Sequence, residues 1–493
     1  MLLFTPKSGR RLELLWAASV ELYCSAKKNH TTMNLKPITS SIYSIPSGDE
    51  WLIWAPHAGS VFATNRRGAN ALRDLKKANG EDDLSRDAET LLGYLRDSGM
   101  LKEPAIQNHE QPAHSFKPTS AYILPTNKCN LRCVYCFSFG GDSKDDMDLA
   151  QAFNTVDDVL RNAKERSRPA TIVFHGGGEP TMNWSVVTKA TERLRSEGAR
   201  LGVETSVRMV SNGVYNSRQI EWVATNIDWL SLSIDGVPDV QDAQRPMRNG
   251  SHSSEAVLET CRRLAALDFR FGVRSTVTDE GVERMPEFVS WIAPMRPVGI
   301  QFEPLTECGR CDESGAKPPS PSQFIDCFKK AFLIGQRLRI PVLYSGARIN
   351  KVSASFCGAT GKNFIVAPNG FVTACHRVTT PQPNDDADFI FGSMSRDGEI
   401  TIFQDRLATL NKLTNLPPAC ESCYCRWNCA GGCYEQNRTE SGRLHPVPGS
   451  DRCHINKELM RFQLADMVDM RRRTERNQNN GNKCNDRTAC CES

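Results

Sequence analysis

The sequence predicts an α/β protein built around a partial parallel (β/α)6 barrel. After residue 119, short apolar runs alternate with amphipathic helical stretches. Consecutive parallel strands need a crossover connection, usually a helix, so this alternation favours a parallel sheet. Three cysteines follow the first of these strands, and further cysteines cluster near the end of the chain. The predicted strands are 121–125, 171–175, 207–211, 229–234, 272–277 and 299–302, and the predicted helices are 149–164, 184–195, 217–225, 254–267, 283–292 and 321–337.

The composition is that of a globular chain. Its 493 residues are 39% hydrophobic, which suits about three domains with real cores. The 61 Lys and Arg residues nearly balance the 57 Asp and Glu residues, and no basic block precedes Arg471-Arg472-Arg473. Nucleic acid is therefore not an expected partner. No apolar stretch has the length of a membrane span, so we expect no membrane association.

The first hundred residues precede the barrel. We expect residues 1–35 to be an extension, with Met33 as a candidate translation start. Residues 36–104 read as two strands followed by two helices, which predicts a small α+β, winged-helix-like module. This module resembles the leader-peptide recognition domains of peptide-modifying enzymes, although a cap that only packs on the barrel fits equally well. Residues 105–118, rich in Pro, Gln and His, read as a linker.

The first predicted strand leads into a C-x3-C-x2-C motif formed by Cys129, Cys133 and Cys136. Three thiolates can hold three irons of a [4Fe-4S] cluster and leave the fourth iron open for a small molecule. Zinc is the alternative, but zinc sites usually pair two such knuckles. With Tyr135 before its last cysteine, the motif resembles the radical S-adenosylmethionine (SAM) superfamily. The resemblance implies a TIM-type barrel over residues 119–340 that binds this cluster and SAM.

A glycine-rich turn follows the second predicted strand. Three glycines let a backbone approach a ligand closely, and a carboxylate can accept hydrogen bonds from an amine. The run Gly176-Gly177-Gly178-Glu179 resembles the family's Gly-Gly-Glu-Pro motif, which implies contact with the amino group of SAM. Ser211 and Asn212, after the third strand, resemble the family's Thr-Asn-Gly turn. The role of His175, ahead of the glycines, stays open.

The fourth predicted strand adds further cofactor candidates. The resemblance implies that Ser233 and Arg245 contact the ribose and carboxylate of SAM, and Asp235 lies between them in the sequence. Gln241 stands where the family pattern has a histidine. The role of that histidine is therefore unfilled.

The C-terminal part carries a second ligand array. Its spacing resembles the SPASM domain, here residues 341–455, although zinc is again the alternative. Seven thiolates can complete one [4Fe-4S] cluster and leave another three-coordinate. The resemblance implies two auxiliary clusters, one held by Cys420, Cys423, Cys429 and Cys453, the other by Cys357, Cys375 and Cys433. The missing ligand is Cys308, Cys311 or no residue at all.

These resemblances imply an oxidoreductase that matures a ribosomally made peptide or protein. A 5′-deoxyadenosyl radical would abstract hydrogen from the substrate, and flavodoxin or ferredoxin would supply electrons. A formylglycine-generating sulfatase maturase is the alternative, and a non-catalytic iron–sulfur protein a more remote one. Thiolate-held clusters favour the reducing cytoplasm. Residues 456–493 are expected to form a helix and a disordered tail.

Overall fold

The computed structural model describes residues 39–78, 81–102, 116–380, 389–414 and 416–488. The predicted extension 1–35 and most of the predicted linker 105–118 lie outside the described residues. The α/β class and the partial parallel barrel predicted from the sequence are confirmed.

The N-terminal unit is an antiparallel three-stranded sheet with two helices. The central strand, β2, is apolar on both faces, as is typical of a strand covered on both sides. Ile53 packs with the two helices of the unit, whereas Trp54 packs into the main core of the protein. The unit therefore packs against the rest of the protein through an apolar face. Its elements are β1 (Tyr43–Ser47), β2 (Glu50–Ala55), β3 (Ser60–Thr64), α1 (Arg66–Lys77) and α2 (Arg86–Asp97).

The barrel is formed by parallel strands joined in sequence order, β4 to β10, with helices between them. The strands are β4 (Ser120–Ile123), β5 (Ala170–Phe174), β6 (Thr205–Ser211), β7 (Trp229–Ser233), β8 (Gly272–Val277), β9 (Gly299–Pro304) and β10 (Val342–Leu343). The helices are α3 (Leu149–Glu165), α4 (Trp184–Leu201), α5 (Ser217–Asn226), α6 (Pro238–Gln244), α7 (Ser254–Ala266), α8 (Met285–Ile292), α9 (Cys311–Ser314) and α10 (Pro321–Leu338).

Alternation along each strand separates an apolar outer face from a more polar inner face. On β6, Val207 and Met209 are fully buried in the main core. Arg208, between them, lies on the other face because successive side chains of a strand alternate. Backbone pairing places Arg208 in one row with Val173 of β5 and Tyr122 of β4. The inner face therefore carries polar side chains that can contact a ligand.

The C-terminal region continues the same sheet. Strand β11 (Ile365–Val366) pairs in parallel with β4, the first barrel strand, so that Ile365 faces Tyr122. The following strands extend the sheet beyond it in an antiparallel arrangement. The remaining elements are β12 (Phe371–Thr373), β13 (Ile390–Met394), β14 (Ile400–Ile402), α11 (Gln404–Asn411), α12 (Arg426–Cys429), α13 (Tyr434–Ser441) and α14 (Asp451–Thr488).

Helix α14 corrects one expectation. It is 38 residues long and includes residues 478–488, which were expected to be disordered. Its arginines also contact the N-terminal sheet, because Arg471 donates to the Val61 carbonyl at 3.2 Å and Arg472 pairs with Glu50 at 2.8 Å. The helix thus ties the two ends of the chain together. Within the described ranges, no helix combines the length and the apolar character needed to cross a membrane.

Candidate active site

The predicted ligands Cys129, Cys133 and Cys136 lie on the loop after β4, at the carboxyl edge of the barrel. Burial raises the pKa of Cys129 to about 11 and that of Cys133 to about 12. Backbone amides point at two of the sulfurs: Leu131 N donates to Cys129 Sγ at 3.4 Å, and Gly140 N donates to Cys136 Sγ at 3.3 Å. Such N–H···S bonds are among the features that tune iron–sulfur clusters.

The glycine turn after β5 packs directly against this loop. A Cβ on Gly178 would lie 2.0 Å from the Lys128 carbonyl oxygen, and one on Gly177 would lie 2.3 Å from Asn127 Oδ1. Two backbone bonds hold the contact, since Gly178 N donates to Thr126 O at 3.0 Å and Glu179 N donates to Lys128 O at 2.8 Å. The glycines therefore allow the close approach of two backbones.

Glu179 is 2% exposed, and its carboxylate joins the ends of β5 and β6. Oε1 accepts from Ser211 Oγ at 2.7 Å and from the hydroxyl of Thr181 at 2.9 Å, while Oε2 accepts from Asn212 N at 2.8 Å. Burial raises the pKa of Glu179, against the lowering effect of these hydrogen bonds. The chain itself thus gives Glu179 a structural role, and its predicted contact with SAM stays a prediction.

Tyr135, Asp235 and Arg245 form one buried network beside the cluster loop. The Tyr135 hydroxyl donates to Asp235 Oδ2 and accepts from Arg245 Nη1 at 2.7 Å. Burial by itself would lower the pKa of Arg245. Electrostatic attraction to Cys133, Tyr135 and Asp235 is stronger, so the pKa of Arg245 is raised. Arg245 Nε is buried and has no hydrogen-bond partner among the described residues. This orphaned donor fits a bound carboxylate such as that of SAM.

Gln241 takes a structural role at the position where the family has histidine. It is 1% exposed, and its Oε1 accepts from the Asp235 amide at 3.0 Å. The side chain thereby fixes the turn that carries Asp235. Asn212 donates to Asn130 Oδ1 at 2.7 Å and so reaches the cluster loop. Ser233, at the end of β7, is half-buried and pairs in register with Arg274 of β8.

Arg310 is a site residue that the sequence reasoning missed. It lies after β9, and its side chain is only 4% exposed. Its guanidinium donates to Cys133 O at 3.0 Å, Gly140 O at 3.2 Å and Asp142 Oδ2 at 3.1 Å. Arg310 therefore holds both sides of the cluster loop. In the sequence Arg310 stands in a Cys-Gly-Arg-Cys run, where the two cysteines are the recognisable ligand candidates and nothing local marks the arginine.

The C-terminal cysteines fall into two groups by their electrostatic neighbours, while the ligand sets themselves stay predictions. Cys420 and Cys429 both interact with Cys423 and Cys453. Cys357 and Cys375 interact with Cys433, and Cys375 also with Cys357. Burial is the largest effect on four of these thiols, raising the pKa of Cys357, Cys375, Cys420 and Cys429.

The two candidates for the missing ligand differ in their surroundings. Arg377 donates to Cys308 Sγ at 2.6 Å and also interacts electrostatically with Cys375 and Cys433. Cys311 is buried, and its charged neighbours are Asp312 and Glu307. Cys308 thus shares the Arg377 guanidinium with the three-cysteine group, whereas Cys311 has acidic neighbours.

A pair of stacked histidines links the barrel to this second group. His175, at the end of β5, stacks on His376, which follows Cys375, with ring centroids 4.3 Å apart. Tyr122 meets His376 edge-on at 4.4 Å. Burial, and to a smaller extent the charge of Arg274, lowers the pKa of His175 to about 4. The open question about His175 is thus answered in part, because the residue connects the barrel to the cysteine-rich region.

Within the described ranges, no three His, Cys, Asp or Glu side chains are close enough to hold a single metal ion. The predicted ligand sets nevertheless have the chemistry that iron–sulfur clusters require, because each set consists of cysteine thiols from one compact loop or group.

Three cysteines at the carboxyl edge of a parallel barrel, next to a buried Arg–Asp–Tyr network, are the arrangement expected of an iron–sulfur protein that binds a small polar ligand beside its cluster. Residues 123–292 match the sequence model of the Radical SAM superfamily. Residues 123–292 therefore form a radical SAM domain, which confirms the resemblance stated for this part of the chain.

Two curated relatives align with part of the chain. An uncharacterized protein of Methanocaldococcus jannaschii is 26% identical over 181 residues, 36% of this chain and 60% of that protein. Pre-heme d1 synthase of Dinoroseobacter shibae is 27% identical over 175 residues, 35% of this chain and 40% of that protein. The chain thus spans between 40% and 60% of the length of these relatives.

The fold is similar to that of a solved structure, anSMEcpe with bound AdoMet. The TM-score is 0.58 at 18% identity, over 71% of this chain and 95% of that chain. The same protein with AdoMet and the Cp18Cys peptide has a TM-score of 0.56 at 17% identity, over 71% of this chain and 98% of that chain. At this identity the similarity shows the fold.

Proposed function

We propose that the protein is a radical SAM maturase that oxidatively modifies, and crosslinks, a ribosomally made peptide or protein. The observation that carries this proposal is the meeting of the cluster loop with the Tyr135–Asp235–Arg245 network at the carboxyl edge of the radical SAM domain. When bound, the [4Fe-4S] cluster and SAM supply a 5′-deoxyadenosyl radical that abstracts a hydrogen atom from an unactivated carbon.

The residues of the chain position these components. Cys129, Cys133 and Cys136 would hold the cluster, and the loop that carries them is fixed by Arg310 and by the glycine turn. Arg245 would hold the carboxylate of SAM through the buried Nε that has no partner among the described residues. The close packing of the cluster loop against the glycine turn and Arg310 would keep these groups in fixed positions.

The C-terminal cysteines support oxidation rather than simple hydrogen transfer. We propose that they hold two auxiliary [4Fe-4S] clusters, which would accept the electron left on the substrate radical. The similarity in fold to anSMEcpe, whose solved structures include a bound peptide, supports a peptide substrate. The N-terminal unit would recognise that substrate. Its apolar packing against the main core, and the contact of His57 with Trp427 at 4.7 Å between ring centroids, place it beside the cysteine-rich region.

Thiolate-held clusters also need a reducing compartment and a source of electrons. We therefore propose a cytoplasmic location and a flavodoxin or ferredoxin as the electron donor.

The test is anaerobic co-expression with a short peptide encoded beside the gene, followed by mass spectrometry of the peptide. The proposal predicts a peptide that is lighter by two hydrogens, with the loss absent for the Cys133→Ala variant. Fragmentation would locate the new bond. An unchanged peptide beside active SAM cleavage would contradict the assignment and favour another protein target, such as a sulfatase that receives formylglycine.

A further inference from the structure

Two arginines lie on the inner face of the barrel, and we call them the lumen arginines: Arg208 of β6 and Arg274 of β8. Arg208 shares a row with Tyr122. Arg274 pairs in register with Ser233 on one side and with Gln301 on the other. Its neighbours Val273 and Ser275 are buried towards the outer face, whereas Arg274 itself is exposed. The lumen arginines therefore present their cations to the interior of the barrel.

Neither lumen arginine has a counterion. Across the part of the chain that the structure describes, no carboxylate lies within 4.0 Å of either guanidinium. Arg208 Nε is buried and has no hydrogen-bond partner there. By contrast, two arginines on the outer side of the barrel are paired, Arg193 with Asp157 and Arg195 with Asp228, each at 2.6 Å.

The carboxylate nearest in the sheet is already occupied. Glu303, on the inner face of β9, accepts from Ser345 N at 3.0 Å, Ser345 Oγ at 2.8 Å and Gln301 Nε2 at 2.6 Å. Neutral donors thus hold the Glu303 carboxylate on the inner face, and the lumen arginines form no ion pair with it. A buried donor without a partner is costly, so the unpartnered Nε of Arg208 favours a ligand that brings an acceptor.

The lumen arginines have different neighbours from Arg245, the predicted contact for the carboxylate of SAM. Arg245 interacts electrostatically with Cys133 of the cluster loop. Arg208 is instead a neighbour of Tyr122, and Arg274 is a neighbour of His175 and His376, on the side of Cys375. They therefore lie between the place proposed for SAM and the cysteine-rich region, where a substrate would be held.

We propose that the barrel interior binds a carboxylate of the peptide substrate, with Arg208 and Arg274 as its specificity determinants. This inference rests on the proposed function for its peptide substrate. A guanidinium fork matches a carboxylate in shape and charge, and charged hydrogen bonds of this kind are worth about tenfold or more in affinity. The carboxylate belongs either to an Asp or Glu side chain or to the peptide C-terminus.

The test uses the anaerobically reconstituted full chain with SAM and a library of random heptapeptides, acetylated and amidated so that only side chains are charged. Bound peptides are recovered by ultrafiltration and sequenced by mass spectrometry. A second library with free C-termini separates the two sources of carboxylate. We expect enrichment of Asp and Glu in the first library, or of free over amidated C-termini in the second.

The variants are Arg208→Gln, Arg274→Gln and the double variant. Arg218→Gln, at an exposed position of α5, is the matched control because it removes the same charge elsewhere. We expect the enrichment to fall about tenfold in each single variant and to stay unchanged in the control. SAM binding by equilibrium dialysis and iron content should be unaltered in all of them, and the single variants decide the outcome if the double variant does not fold.

Three results would overturn the proposal: no enrichment of carboxylates in either library, enrichment that survives in Arg208→Gln and Arg274→Gln, or loss of SAM binding in these variants, which would assign the lumen arginines to the cofactor. Failure of the proposed function looks different. In that case co-expressed peptides stay unmodified, while the lumen arginines still select carboxylates.

Discussion

Replacing Arg310 by Met should open the cluster loop while leaving the rest of the barrel intact. Arg310 is the buried donor to the Cys133 and Gly140 carbonyls on opposite sides of the loop. Met keeps most of the side-chain volume, so the change removes the hydrogen bonds without leaving a large cavity.

The magnitude follows from the three acceptors. Losing the buried charged donor to the Gly140 carbonyl costs about 1–2 kcal/mol. Losing the donor to the Cys133 carbonyl costs about 1 kcal/mol, because that carbonyl still accepts from Cys136 N at 3.2 Å. Asp142 is 37% exposed and keeps its ion pair with Arg132, so losing the ion pair with Arg310 costs less than about 1 kcal/mol. The sum is about 3 kcal/mol, which corresponds to about 100-fold more frequent local opening.

The assay is hydrogen exchange by mass spectrometry on peptides that span residues 129–142. Arg132→Met is a matched control because Arg132 also pairs with Asp142, at 2.6 Å, but is 44% exposed. Exchange in this segment should rise about 100-fold for Arg310→Met and less than about fivefold for the control. Equal exchange in the two variants would refute the holding role of Arg310.

Two further predictions concern the glycine turn and the auxiliary ligands. Gly178→Ala should displace the loop at Lys128 and abolish loading of the radical SAM cluster, as measured by iron content and electron paramagnetic resonance, because its Cβ would lie 2.0 Å from a carbonyl oxygen. The control is Gly93→Ala on α2, where nothing lies within 4 Å of the added Cβ, and it should leave cluster loading intact and raise stability by about 0.5–1 kcal/mol. Normal cluster loading in Gly178→Ala would contradict the prediction. Cys433→Ala should lower the iron content by about four of about twelve irons per chain, whereas Cys425→Ala should not lower it. An equal effect of the two changes would rule out the proposed ligand set.

Much of the barrel could be predicted because its signals are local. The period of apolar residues sets each strand and helix, and the predicted strand 272–277 coincides with β8. The cysteine and glycine motifs were also found, since their chemistry depends on spacing along the chain. The loop and the glycine turn meet because both follow neighbouring parallel strands, as expected for the carboxyl edge of such a sheet.

What the sequence did not reveal depends on contacts between distant residues. The pairing of β11 with β4 joins residues far apart in the chain, and two-residue strands carry almost no periodic signal. Arg310 contacts Cys133 across 177 positions, so no local pattern marks it. Glu179 was assigned only to SAM because its partners on β6 become visible only in three dimensions.

The most direct test of the central claim is reductive cleavage of SAM by the reconstituted protein. Dithionite is added anaerobically, and 5′-deoxyadenosine is measured by liquid chromatography and mass spectrometry for the natural chain, for Cys133→Ala and for Cys261→Ala, a buried cysteine of α7 outside the cluster groups. We predict 5′-deoxyadenosine from the natural chain and from Cys261→Ala, and none from Cys133→Ala. Undiminished cleavage by Cys133→Ala would contradict the assignment of the active cluster to the loop after β4.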